Sequence, residues 1–496
     1  MTPDSTQTPN ILAQNHVDVL IVGAGLSGIG TAHHLQERCP NKSFVLLEAR
    51  DTIGGTWDLF RYPGIRSDSD MYTFGYRFRP WTGEKTLADG PSILKYIRET
   101  AAEAGIDKKI RFGHRVVRTQ WSSKTQRWTI WATPKDSEEP VAFSARFILN
   151  CSGYYRYDKG YTPDFAHMDD FEGTIVHPQH WPEDLDYSGK RVVVIGSGAT
   201  AVTLVPAMAK TAGHVVMLQR SPTYIATVPS RDDIAMKLQR WLPAKSAYLL
   251  TRWKNIARSI YIYEMSQRRP KLVKDFLLKE LAAQLPAGYP VDKHFTPRYN
   301  PWDQRLCAVP DGDFFQAISQ GSASIVTDTI ERFTPKGILT TSGELVEADI
   351  IVTATGFTLQ TMGGAEIFID DERVVISEHL TYKGMMLSDI PNSAFTVGYT
   401  NSSWTLKADL VSEYVCRLFN HMDDKGYAVY VPRANASTHG QPLLDFGAGY
   451  VQRSMDQLPK QGPTWPWRLR MNYVADAVSL RHGDLDDGTI EFQRPN

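Results

Sequence analysis

Cysteine is scarce in this sequence. Its 496 residues include four, Cys39, Cys151, Cys307 and Cys416, with no C-x-x-C pair and no metal-ligand spacing. That excludes a disulfide framework, a cysteine-ligated metal site, and the redox-active cysteine pair of a disulfide reductase. Buried free thiols are expected instead, and with them a reducing, cytoplasmic location. An excess of charge is lacking too. The 54 Lys and Arg against 55 Asp and Glu leave a formal net charge of -1, which argues against a chain built to hold nucleic acid or an anionic surface. No apolar run reaches the roughly 18 residues that a membrane-crossing helix needs. The first fifteen residues lack the charged-then-apolar pattern of a signal peptide and read as a loose leader. No solenoid-like repeat is present.

What is there is a large core and two nucleotide-binding signatures. The 42% of hydrophobic residues in a chain this long predicts two or three domains. Val17–Val22 is a short apolar run suited to a buried parallel strand. Gly23-x-Gly25-x-x-Gly28 follows it and opens a helical pattern. The first glycine makes the turn, the second admits a pyrophosphate to the backbone, and the third lets helix and strand pack closely. The helix N-terminus offers unpaired N–H groups to the phosphates. A second strand, Phe44–Glu48, ends in an acid twenty residues after Gly28. A carboxylate there accepts hydrogen bonds from a ribose diol and repels a 2′-phosphate. Strand, glycines, helix, strand and acid together are a strong dinucleotide signature, and FAD is expected at it.

The pattern returns at Arg191–Ile195, followed by Gly196-x-Gly198-x-x-Ala201. Here the second strand ends in Gln219, then Arg220 and Ser221. The acid is missing and a guanidinium stands beside the gap. Arginine pairs with a 2′-phosphate through charge-assisted bonds, so NADPH is expected at this second site.

Other stretches place these units. Residues 91–104 read as an amphipathic helix and 111–132 as a β-meander, with Trp121, Trp128 and Trp131 as sheet packing. Phe147–Gly153 reads as the strand where the first sheet ends. Residues 231–285 are helical in pattern, and from Arg231 to Glu280 they hold twelve Lys and Arg against five Asp and Glu. They read as a solvated helical cap over the active site, with peripheral membrane contact as the alternative. Ala348–Phe357 is an apolar strand with a Thr-Gly end. Ile390–Tyr399 reads as a strand and 409–423 as a helix beneath the loop 400–407. The last sixty residues carry little readable chemistry.

Between the two signatures lies Phe171-x-Gly173-x-x-x-His177-x-x-x-Trp181-Pro182. This pattern resembles the fingerprint of the Baeyer–Villiger class of flavoprotein monooxygenases. So do the stretches Arg61–Thr73, His177–Tyr187, Val194–Pro206 and Asn300–Cys307, and the resemblance spans nearly the whole chain. It implies an α/β fold of two Rossmann-like domains with a helical insertion in the second. The FAD domain would take residues 1–155 and return over 346–496, the NADPH domain 156–230 and 286–345, and the insertion 231–285. It implies that Gly54-Gly55-Thr56-Trp57 lies along the flavin and that a helix N-terminus after Tyr399 points at the flavin's pyrimidine end. It implies that Arg305 is the active-site arginine, that Asp68 holds it, that Arg220 reads the 2′-phosphate, and that His177 couples domain position to catalysis. His180, three residues on, reads as incidental. Many such enzymes carry a lysine where this chain has Gln304, so selectivity for the 2′-phosphate rests mainly on Arg220. The implied reaction takes NADPH and O2, converts ketones to esters or lactones, and also oxidises thioether or thioamide sulfur. An N- and S-oxygenating flavin monooxygenase is the nearest alternative. A non-catalytic FAD-binding scaffold is a third, though it leaves the second nucleotide site unexplained.

Overall fold

The computed structural model describes residues 15–304, 306–435, 438–443, 447 and 449–496. The expected leader, up to residue 14, and Arg305 lie outside them.

The first nucleotide unit is β1 (His16–Val22), α1 (Leu26–Arg38) and β2 (Phe44–Leu47), with β1 and β2 parallel. The turn between β1 and α1 is tight enough to demand glycine. A Cβ on Gly28 would lie 1.9 Å from the Gly23 carbonyl oxygen. Helix α2 (Gly90–Glu103) is capped by Asp89, whose side chain accepts from the Ser92 N–H. The strands β3 (Ile110–Arg111), β4 (His114–Ser122), β5 (Arg127–Pro134) and β6 (Val141–Asn150) follow. β4, β5 and β6 form the expected antiparallel meander. Trp121 and Trp128 face each other across it, both buried, with ring centroids 5.6 Å apart. They are sheet packing, as their strand context predicts. β6 then leaves β5 and runs parallel to β1, bringing its end Asn150 beside Val22.

The second unit contains β7 (Thr174–Val176), β8 (Arg191–Ile195), α3 (Ala199–Met208) and β9 (His214–Gln219). After three helices, α4 (Asp233–Trp241), α5 (Ala244–Arg268) and α6 (Pro270–Ala282), it is completed by β10 (Ala323–Thr327) and β11 (Ile350–Thr353). Its strand order is β10-β9-β8-β11-β7, all parallel. The fingerprint is therefore more than a linker, because β7 is the edge strand of this sheet. Its Phe171 is buried in the core, and a Cβ on Gly173 would lie 2.4 Å from the Asp349 carbonyl oxygen. β11 is fully buried between β7 and β8. The chain thus leaves this sheet after Thr353 and not at 345, since a buried apolar strand must be paired on both sides.

The remaining chain rebuilds the first unit. β12 (Glu366–Ile369) pairs with β4, β13 (Glu372–Arg373) with β12, and β14 (Ser393–Phe395) with β6. The first sheet therefore has nine strands among the described residues, and it does not end at Gly153 as its sequence suggests. Helix α7 (Trp404–Lys425) starts one turn earlier than the expected 409, with Ser403 at its N-cap, and packs on α1 and on α8 (Tyr473–His482).

The helical insertion is clamped to the first unit. Arg252 on α5 is 2% exposed and donates to the carbonyls of Tyr72 (2.8 Å), Thr73 (3.2 Å) and Gly75 (2.7 Å). Its other terminal nitrogen reaches Asp409 Oδ2 on α7 at 3.3 Å.

Candidate functional site

A cavity of about 750 Å³ opens at the C-terminal ends of the parallel strands β1, β2 and β6 and reaches the start of α3, a size and place common for cofactor sites in such folds. Of the residues singled out in the sequence, Gly23, Gly25, Glu48, Gly55, Thr56, Trp57 and Asp68 line it. So do Ala199 and Thr200, at the start of α3 in the second unit. No residue of 231–285 lines it. The insertion is therefore not a lid over this cavity. Its polar contacts hold it to the helix Met71–Phe74 and to α7 instead.

Glu48 is buried at the end of β2. Its two oxygens accept from the backbone N–H groups of Ala24 (2.8 Å) and Arg50 (2.9 Å). Burial pushes its carboxyl up, and those two N–H bonds and the Arg50 charge oppose the shift. Each oxygen keeps acceptor capacity toward the cavity. Gly55 has φ +56°, and its Cβ would meet Gly25 Cα at 3.2 Å and the Tyr157 hydroxyl at 3.3 Å. Side chains at Gly25 and Gly55 would fill the slot between them. The short helix Thr56–Leu59 is anchored from behind by Asp58, a residue the sequence reading passed over. Its buried carboxylate pairs with Arg50 (2.5 Å), Arg61 (2.9 Å) and Arg98 (3.0 Å). Trp57 packs edge-on against Phe74 at 5.5 Å.

The N-terminus of α7 supplies another wall through Thr400, Ser402 and Trp404. The Ser403 and Thr73 hydroxyls are 2.6 Å apart, the Trp404 indole donates to Ser27 Oγ at 2.8 Å, and Tyr154 stacks on Trp404 at 4.9 Å. A 22-residue helix so aimed brings its partial positive charge to the cavity. The C-terminal region, silent in the sequence, adds an apolar wall from Leu443, Val451 and Leu458. Apolar side chains in irregular segments carry no periodicity that could have announced this.

At the second unit, Gly196 and Gly198 form the turn and Ala201 is buried in α3. None of them lines the cavity. Gln219 is buried, and its amide donates to the His294 carbonyl (2.8 Å) and Thr327 Oγ1 (2.9 Å). It thus faces the interior, while Arg220 beside it is exposed and has no ion pair among the described residues. The Ser221 carbonyl accepts from Ser197 Oγ at 2.9 Å, which ties the glycine turn to this strand end. Gln304 lies away from the cavity lining, its amide beside Gly447.

His177 also stays off the cavity lining; His180, read as incidental, is on it. Nδ1 of His177 accepts from the Gln179 N–H at 3.1 Å, and Nε2 lies 3.3 Å from the Gly356 carbonyl oxygen, to which it donates. Burial lowers its pKa. A Cβ on Gly160 would strike the ring at 2.1 Å. Gly160 and Gly356 belong to the two segments that connect the sheets. These run side by side, with Arg156 N–H donating to Thr358 at 2.8 Å, Gln360 N–H to Tyr154 at 3.0 Å, and Tyr161 N–H to Gly356 at 3.1 Å. Gln179, fully buried, adds bonds from its amide to the Arg156 (2.7 Å) and Tyr157 (2.9 Å) carbonyls. The fingerprint polar side chains therefore pin the crossing between the two units.

The donor set fits the expected cofactors. A slot between two glycines, a carboxylate at the end of β2 and a helix N-terminus suit FAD at the first unit. An open guanidinium at the end of β9 suits the 2′-phosphate of NADPH at the second.

The comparisons with known proteins bear on the same regions. The family described as NAD(P)-binding Rossmann-like domain matches residues 21–83, and that described as Flavin-binding monooxygenase-like matches residues 86–283. The chain is 57% identical over 481 residues to the FAD-containing monooxygenase EthA of Mycobacterium tuberculosis, covering 97% of this chain and 98% of that protein. It is 49% identical to the probable FAD-binding monooxygenase AlmA of an Acinetobacter species, covering 97% of each. Among solved structures, an oxidized steroid monooxygenase bound to NADP superposes with a TM-score of 0.75 at 22% identity, over 97% of this chain and 100% of that one. A cyclohexanone monooxygenase bound to ε-caprolactone does so with 0.73 at 20% identity, over 96% and 100%.

Proposed function

This chain belongs to the FAD-containing monooxygenases, and from that membership we propose that it uses NADPH and O2 to convert ketones to esters or lactones by Baeyer–Villiger oxidation, and to oxidise thioether or thioamide sulfur. The observation that carries the reading is one cavity reached by both nucleotide units, with Glu48 and Gly55 on one side and Ala199 and Thr200 on the other. FAD, when bound, supplies the hydride acceptor and the activation of oxygen.

The chain's own residues supply position, dryness and charge. Gly25, Gly55 and Glu48 would hold FAD, and Arg220 and Ser221 the adenosine end of NADPH. Trp404, Leu443, Val451 and Leu458 exclude water from the cavity. Arg305 is assigned the guanidinium that stabilises negative charge developing on the substrate carbonyl oxygen. Asp68, on the cavity wall, is assigned to hold its orientation. The two-part FAD domain and the NADPH domain follow the same division. The four free, buried thiols support a cytoplasmic setting.

The test is an assay of the purified, yellow protein with NADPH, O2 and two substrates, a linear ketone and a thioether. Ester and sulfoxide are both expected. Sulfoxide without ester would identify an N- and S-oxygenating flavin monooxygenase and overturn the ketone reading. Arg305→Ala should still bleach with NADPH yet lose ester formation by about 10²–10³-fold, as removal of a preorganised oxyanion donor does. Normal ester formation by that variant would remove Arg305 from the role.

A further inference from the structure

We propose that the outward face of the helical insertion is an adsorption surface for anionic lipid bilayers. Twelve large apolar side chains are exposed among the described residues, and eight of them lie between Ile234 and Phe276. Of the chain's 12 tryptophans only Trp241 and Trp253 are exposed, and both lie in this insertion, Trp241 at 83%. Such a concentration is not the scatter of single apolar residues that any surface carries.

The exposed residues share one side of α5. Tyr248, Arg252, Asn255 and Ile256 form its buried face. Leu250, Trp253, Ala257 and Tyr261 follow at steps of three and four, which puts them together on the opposite face, and all four are exposed. Most of that face is open, and at Trp253 it borders one other helix. It continues toward α8, where the Tyr473 ring lies 5.9 Å from Trp253 and the exposed Val474 and Val478 follow one turn apart. On the neighbouring α6, Leu272 and Phe276 are likewise exposed one turn apart.

Cations are interleaved with these residues. Lys237, Arg240, Lys245, Arg258, Arg269 and Lys279 are exposed and have no ion pair among the described residues, against two such acids on the segment, Asp233 and Glu280. The whole chain has a net charge of -1, so the basic character is local to this face. A second copy of the chain would bring like charges together, and stable protein interfaces are depleted of lysine at their centre. A merely acidic protein partner leaves the aromatic strip unexplained. An anionic bilayer takes both, with tryptophan and tyrosine at the headgroup boundary and cations on the phosphates. With no helix among the described residues long and apolar enough to cross a membrane, the contact is one of adsorption.

The test uses the full-length flavin-loaded enzyme and vesicles of phosphatidylcholine with or without phosphatidylglycerol. Flotation with the anionic vesicles is expected, with little from the neutral ones and with loss at high salt. Reversing two cations, Arg240→Glu with Arg258→Glu, should lower the bound fraction at least about tenfold. Trp253→Glu with Tyr261→Glu should do the same while flavin content is retained. Independently of any variant, brominated lipid tails should quench the tryptophan fluorescence of the unaltered enzyme. Absence of flotation and of quenching overturns the proposal. So does a dimer that these substitutions split while vesicles capture neither form, which would make the face a contact between copies.

Discussion

Both ring nitrogens of His177 are engaged by backbone groups, Nδ1 by the Gln179 amide and Nε2 by the Gly356 carbonyl. This arrangement needs the neutral ring, because protonation at Nδ1 would set a donor against a donor. Burial acts in the same direction and depresses the folded-state pKa below the ordinary value of 6.5. The sign follows. A depressed pKa gives stability that is present above about pH 6.5 and is lost as pH falls through the folded value. His177→Asn cannot titrate, so the thermal midpoint of the unaltered enzyme should exceed that of the variant at neutral pH, and the gap should narrow on acidification. A gap that stays constant with pH would refute this account of the ring. His180 falls on an unspecified position of the fingerprint, so the sequence assigns it no role. Only the turn Pro178–His180 decides that it, and not His177, reaches the cavity rim.

Among the elements, α5 is held to the first unit through a buried cation, Arg252. Burial alone would push the Asp409 carboxyl up, yet the bond to His34 and the charge of Arg252 hold it below its ordinary value. Replacing Arg252 by methionine would leave that buried carboxylate with only His34 and the Arg77 N–H and would take the guanidinium donor from three carbonyls. A loss of about 3–5 kcal/mol is expected in urea unfolding, as for other broken buried pairs. A change under about 1 kcal/mol would show that the clamp is dispensable. The sequence revealed the helices 231–285 and their basic composition, but no sequence pattern shows where a helix hairpin docks. The buried stripe of α5 faces the unit that precedes it by more than a hundred residues. The start of α7 was displaced for a related reason: loop-like Asn401–Ser403 hides an N-cap whose partner, Thr73, is remote in the chain.

Across the whole molecule, two nucleotide units meet at one cavity, and the second is distinguished by Arg220. Arg220 is exposed, beside a strand end tied to the glycine turn by the Ser197–Ser221 bond, so its loss should weaken NADPH and leave NADH nearly unaffected. Arg220→Ala should raise the KM for NADPH by about 10–100-fold, equivalent to the roughly 1.5–3 kcal/mol of a hydrogen bond to a charged group, with kcat little changed. An unaltered preference for NADPH over NADH would move the 2′-phosphate contact elsewhere.

The two strand-turn-helix units, their glycines, Glu48 and Arg220 were all legible in the sequence, because a tight turn and a strand end are local events that glycine spacing and alternation record. The tertiary structure alone decided that β7 and β11 close the second sheet, that Asp58 and Gln179 brace the site, that apolar C-terminal residues wall it, and that the insertion turns an aromatic, basic face outward. Each of these depends on pairing between segments far apart in the chain, and burial of one side chain against a distant other leaves no periodic trace in either segment.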